Sequence, residues 1–166
     1  MVALVGVNSL LGADTKKVEE DVDYAIAQFK KKDASINKFF ETAHGFAVFP
    51  NVGKGAVGIG AAHGNGHVFE KGKQVGTASL SQVTIGVQLG GQQYSEIIFF
   101  EDERSFKDFT GSKFALSAQA SAVAAAEGAS ANAKYQQGVA VFTMAKGGLM
   151  YEASVGGQKF KYKPLK

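Results

Sequence analysis

The sequence predicts an α+β domain in which N-terminal helices pack on a curved, largely antiparallel β-sheet or barrel-like sheet. Apolar residues recur with helical spacing between Val18 and Phe29, and from Phe46 onward the period changes to two. The chain also contains 21 glycines, 13 phenylalanines and only 2 prolines. So many aromatic residues argue against disorder, and the glycines favour closely packed strands joined by tight turns.

Two helices are predicted to precede the sheet. Asp14 and Thr15 are suitable helix caps, so we predict a helix that begins there and ends at lysines 30–32, where the helix dipole favours cations. Asp33 is predicted to cap a second, shorter helix. The residues of that helix expected to face inward are Ile36, Phe39, Phe40 and Ala43.

Strands are predicted over most of the remaining chain. Pro50 suits the end of a first strand, and Asn65-Gly66 predicts a hairpin turn between two extended runs. The predicted strands cover residues 46–51, 56–62, 66–71, 75–90, 94–101, 114–126, 138–145, 149–155 and 158–163. A short helix is expected at about 103–110. Residues 114–126 are rich in alanine, which favours a helix, but their apolar–polar alternation predicts a strand. About nine strands are enough for the sheet to curl or close.

Composition predicts one globular domain without disulfides. The length of 166 residues fits a single core, and 20% charged residues is ordinary for a globular protein. The absence of cysteine excludes disulfides, thiolate zinc sites and cysteine nucleophiles. Residues 1–14 form an apolar segment, which we interpret as a signal-peptide remnant or as a segment packed on the domain formed by residues 15–166. We expect an exported or periplasmic protein, with a cytoplasmic location as the alternative.

The motifs that resemble catalytic or cofactor sites are weak, and we predict that the chain is not an enzyme and needs no metal or cofactor. Gly53–Gly58 matches G-x-G-x-x-G but leads into a predicted strand instead of a helix, which favours strand packing over nucleotide binding. His63 and His67 flank the predicted Asn-Gly turn; solvated histidines are the default, and a metal-dependent enzyme is a rival interpretation. The acidic residues 101–103 begin a predicted helix, where they stabilise its dipole.

The last predicted strand carries a basic face. Lys159, Lys161 and Lys163 alternate with Phe160 and Tyr162, so the lysines are expected on one side and the aromatic rings on the other. One interpretation is an edge strand whose lysines prevent aggregation. The other is contact with an anionic surface, where each lysine near a charged bilayer contributes on the order of 1 kcal/mol. Nucleic acid is a poorer partner because the net charge is only +3 and no aromatic–basic RNA-binding signature is present.

Several motifs together resemble SYLF domains. The first is GFAVFPNVGKGAVGIGAAHGNGHVF at residues 45–69, and the second is SQVTIGVQLGGQ at 81–92, which is similar to the Gly-x-Gln-x-Gly-x-Gln strand of that family. The runs Ile97–Phe100 and Gly147–Tyr151 resemble later family elements. The similarity covers roughly residues 15–163 in the family's order, and a stand-alone member of bacterial type is the nearest match.

The resemblance implies a lipid-binding module. Eukaryotic SYLF domains bind phosphoinositide membranes, some fungal members bind actin, and bacterial relatives are often exported. We therefore expect a peripheral protein that recognises anionic, phosphoinositide-like phospholipid headgroups, with a protein-interaction or actin-binding scaffold as the alternative. The predicted headgroup contacts are Lys159, Lys161 and Lys163, together with Lys54, Lys71 and Lys73 from the predicted meander turns.

Overall fold

A computed structural model describes residues 2–53, 61–83, 93–111, 114–117, 119–146 and 155–165. The helices are α1 (Val2–Lys32), α2 (Asn37–Thr42) and α3 (Glu103–Thr110), and a 3-10 turn spans Ala34–Ile36. The strands are β1 (Gly45–Val52), β2 (Ala61–Glu70), β3 (Lys73–Val83), β4 (Tyr94–Phe100), β5 (Phe114–Ala115), β6 (Val123–Ala124), β7 (Val139–Ala145) and β8 (Lys159–Pro164).

The described strands form one curled sheet with the order β5-β8-β3-β2-β1-β4-β7-β6. Every pairing is antiparallel except that of β6 with β7. The centre of the sheet is the sequential meander β1–β2–β3, flanked by β4 and β8. The predicted α+β class with helices on a curved, largely antiparallel sheet is confirmed.

The helices α1 and α2 cover one face of the sheet, called here the outer face. Phe29 of α1 and Phe39 of α2 are buried together with Val48, Ile97 and Phe99, which alternate along β1 and β4. The ring centroids of Phe39 and Phe99 are 5.3 Å apart. This aromatic contact packs α2 against β4.

The opposite, inner face forms a second core. Phe49, Ile98 and Phe100 point to this side of β1 and β4, and Phe160 reaches it from β8. The short helix α3 packs Phe109 against this core, with the ring centroids of Phe109 and Phe160 5.5 Å apart. Since β1 and β4 contribute alternate residues to the two cores, the sheet is buried on both sides along β4.

The predicted start of the first helix was wrong. Helix α1 begins at Val2 and passes through Asp14 and Thr15 without interruption. A capping side chain ends a helix only where the preceding backbone leaves helical geometry, and the sequence from Val2 to Leu11 contains no proline to force that. None of the described helices combines the length and the apolar character needed to cross a membrane.

The predicted turn at Asn65-Gly66 was also wrong. Both residues lie within β2, where they pair with Ser79 and Ala78 of β3, and the chain reverses at residues 71–72. A β-carbon on Gly66 would overlap the carbonyl oxygen of Val48 on β1. Gly66 is therefore needed for close strand approach, which is the other role of glycine in a strand.

Residues 114–126 do not form the single strand that their alternation predicts. Two-residue strands form at opposite edges of the sheet instead, β5 beside β8 and β6 beside β7. The alanines and serines between them offer little apolar area, so the segment is held by Leu116 and Ala122 rather than along its whole length. The predicted strand at 149–155 lies largely outside the described residues, which contain eight strands.

Candidate functional site

The alternation predicted for β8 is present. Lys159, Lys161 and Lys163 are exposed, Phe160 is buried in the inner core, and Tyr162 is half-buried. The hydroxyl of Tyr162 donates a hydrogen bond to the carbonyl oxygen of Val75, at 3.1 Å. The aromatic residues anchor the strand from the inside, so the lysines project from the outer face about 7 Å apart.

The neighbours of these lysines on β3 are hydroxyl residues. Antiparallel register places Lys159, Lys161 and Lys163 opposite Ser81, Ser79 and Thr77. Within the described part of the chain, none of the three lysines forms an ion pair; the pairs found there are His44–Glu70 and Lys107–Glu103. Among the described residues, the basic face of β8 is therefore exposed and forms no salt bridge with a carboxylate.

A groove of about 410 Å³ lies between α1 and this part of the sheet. Its polar lining is Asn65, His67, Thr77, Ser79, Lys161 and Lys163. Burial lowers the pKa of His67 despite the nearby carboxylates of Glu19 and Asp23 on α1. His67 is therefore neutral at neutral pH, and the positive charge of the groove comes from the two lysines.

The other predicted lysines lie in different surroundings. Lys71 lines a hollow of about 590 Å³ with the acidic start of α3, residues 101–103, and Lys73 lies opposite Glu70 in the β2–β3 register. Lys54 lies outside the described residues. The hydrogen bond from the amide of Leu165 to the carbonyl of Val75, at 2.9 Å, places the end of β8 near the start of β3, where Lys73 follows the turn that contains Lys71.

The histidines do not form the geometry on which the metal-site interpretation rests. His63 and His67 lie four residues apart on one extended strand, which separates them by about 13 Å. His63 is exposed and His67 is buried, whereas His44 contacts Glu70, with 2.6 Å between Nε2 and Oε2. In the ranges that the structure describes, no group of three or more histidine, cysteine or acidic residues is arranged to hold a metal ion.

A polar cluster in the inner core was not predicted from the sequence. Glu96 is completely buried, and its Oε1 accepts a hydrogen bond from Nε2 of Gln158 at 2.9 Å. The same amide nitrogen lies 3.2 Å from both Gln82 Oε1 and the hydroxyl oxygen of Tyr94. The sequence feature that could have revealed this cluster is the single acidic residue, Glu96, at an inward position of the apolar strand YSEIIFF.

Residues 81–163 match the family Ysc84, described as "Las17-binding protein actin regulator". That match covers half of the 166 residues. The chain belongs to the Ysc84 family. The domain of this family is the SYLF domain, so the SYLF resemblance deduced from the Gly- and Gln-rich motifs is confirmed.

A relative in Aeromonas veronii extends the similarity to most of the chain. It is "Beta cell expansion factor A", 27% identical over 168 aligned residues. The alignment covers 92% of this chain and 60% of the relative, so the chain spans about three fifths of the length of that protein.

Proposed function

We propose that this Ysc84 domain is a non-enzymatic, peripheral lipid-binding module whose β8 lysines contact anionic phospholipid headgroups of the phosphoinositide kind. The observation that carries the proposal is the alignment of Lys159, Lys161 and Lys163 on one exposed strand face, opposite hydroxyls and without a described acidic partner. Three lysines near an anionic bilayer contribute about 3 kcal/mol, and salt weakens that contribution.

The apolar start of α1 supplies a second element for membrane contact. Residues 2–11 contain valines and leucines and no charged residue. A few lysines alone give weak adsorption, so a stable peripheral association needs an inserting apolar segment in addition. In this proposal the protein acts at a membrane surface in an exported or periplasmic location, with the cytoplasm as the alternative.

Vesicle co-sedimentation tests the electrostatic part. The protein is mixed with anionic and with neutral phosphatidylcholine vesicles, each at low and at high salt. We expect binding to the anionic vesicles that weakens with salt. Equal binding to both vesicle types, or no binding to either, would refute the proposal.

A pair of matched double variants tests the assigned face. Lys159→Gln with Lys161→Gln removes about 2 kcal/mol, which lowers binding to anionic vesicles about 30-fold. The control, Lys31→Gln with Lys134→Gln, removes the same charge from exposed positions on other elements. A control variant that loses as much binding as the β8 variant would show that net charge, and not this face, controls adsorption.

The family description supports a second candidate, a scaffold that binds actin or an actin regulator. Such binding through a packed protein interface depends less on salt than adsorption through exposed lysines. Co-sedimentation with actin filaments at high salt distinguishes the two functions. Binding that persists there in the β8 double variant favours the scaffold.

A further inference from the structure

The buried cluster around Glu96 lies where three parts of the sheet meet. Gln82 is near the end of β3, Tyr94 and Glu96 are at the beginning of β4, and Gln158 immediately precedes β8. Glu96 and Gln158 have no exposed surface, and Tyr94 has 1%. Side-chain contacts between these residues therefore join the start of β8 to the end of β3 and to β4 on the inner side of the curled sheet.

One amide group makes these contacts. Nε2 of Gln158 lies within hydrogen-bond distance of three acceptor atoms, Gln82 Oε1, Tyr94 Oη and Glu96 Oε1. An amide nitrogen carries only two protons. This amide nitrogen therefore donates to at most two of the three oxygens at a time, and the hydroxyl of Tyr94 carries a proton of its own.

Three buried oxygens nearby lack a hydrogen-bond partner within the described structure. They are Glu96 Oε2, Gln158 Oε1 and Thr143 Oγ1. Thr143 is the direct cross-strand partner of Glu96 on β7, so their side chains share the inner face. A protonated Glu96 gains a hydroxyl donor, whereas an ionised carboxylate offers only acceptors.

The surroundings of Glu96 contain no described compensating charge. The neighbouring strands contribute Phe49 from β1, Gln82 from β3 and Thr143 from β7, and Gln158 enters ahead of β8. The titratable group that faces Glu96 is Tyr94 of its own strand. Burial raises the pKa of Glu96 to about 8, and burial with the nearby carboxyl raises the pKa of Tyr94.

We propose that the proton on Glu96 is a latch: the neutral carboxyl holds the ends of β3 and β8 against β4, and loss of that proton loosens this side of the sheet. An ionised Glu96 would be an unpaired anion in the interior, and the sheet lowers that cost by admitting water between these strands. The device is independent of lipid binding, because it uses none of the lysines on the outer face.

Direct titration of Glu96 tests the first half of the proposal. The side-chain carboxyl carbon of Glu96 is followed by NMR in the native, ¹³C-labelled protein as the pH is raised. We expect a midpoint near 8, far above those of exposed glutamates. A midpoint in the ordinary glutamate range would overturn the proposal without the need for any variant.

Exposure of the inner core tests the second half. Binding of the dye ANS is measured from about pH 6 to about pH 9 in the native protein, in Glu96→Gln and in the control Glu127→Gln, which changes an exposed glutamate. We expect dye fluorescence to rise through the Glu96 midpoint in the native and control proteins and to stay flat in Glu96→Gln. Parallel curves for all three proteins would overturn the latch.

Discussion

The substitution Gly66→Ala tests the close approach of β1 and β2 at the centre of the sheet. The added β-carbon would overlap the carbonyl oxygen of Val48 and lie 2.8 Å from Cδ1 of Phe49. The overlapped oxygen belongs to the main chain of a buried central strand, so no side-chain rotation relieves the contact. The two strands must separate.

The cost follows from two contributions. Overpacking in a well-packed core costs about 2 kcal/mol, and loss of one backbone hydrogen bond between the strands adds about 1 kcal/mol. A loss of about 3 kcal/mol lowers the melting temperature of a domain of this size by roughly 6–12 °C. Thermal unfolding followed by circular dichroism measures this difference.

Gly72→Ala is the matched control. Gly72 has a φ of +82° in the β2–β3 turn, and a β-carbon there would meet no atom within 4 Å. The expected cost is therefore only that of a left-handed backbone conformation, about 1 kcal/mol. If Gly66→Ala is no less stable than Gly72→Ala, the assigned close approach of β1 and β2 is incorrect.

Two further predictions concern buried carboxyl groups. Asp33 accepts hydrogen bonds from the amides of Ser35 and Ser130, at 3.2 and 2.8 Å, so Asp33→Ala should lower the free energy of unfolding by about 2 kcal/mol in urea titrations; a change below about 0.5 kcal/mol would contradict this role. Because the pKa of Glu96 rises from 4.5 unfolded to about 8 folded, its contribution to stability is complete below pH 4.5 and is lost as the pH rises through 8. The free energy of unfolding falls by about 5 kcal/mol between pH 4.5 and pH 8, and Glu96→Gln should abolish this pH dependence. Identical stability–pH curves for the native and variant proteins would refute the assignment.

The amino-acid pattern determined the fold class and most of the strands, because the change from helical to alternating periodicity is a local property of the chain. It also determined the orientation of β8, since a period of two places Lys159 and Lys161 on one face and Phe160 on the other. The helix at residues 103–110 was likewise predicted from local signals and is present. Asp33 was predicted to cap the second helix, and it instead caps the 3-10 turn at residues 34–36 that leads into α2.

Tertiary structure decided what those local signals left open. Asn65-Gly66 is a strong turn signal, yet the contact of Gly66 with β1 made it part of a strand, and only the packed sheet contains that contact. The cluster of Gln82, Glu96 and Gln158 joins residues up to 76 positions apart, a separation at which the sequence carries no periodic signal. The sequence by itself therefore specified which faces are apolar and which are basic, whereas the burial of a proton-binding carboxyl arose from the curling of the sheet around it.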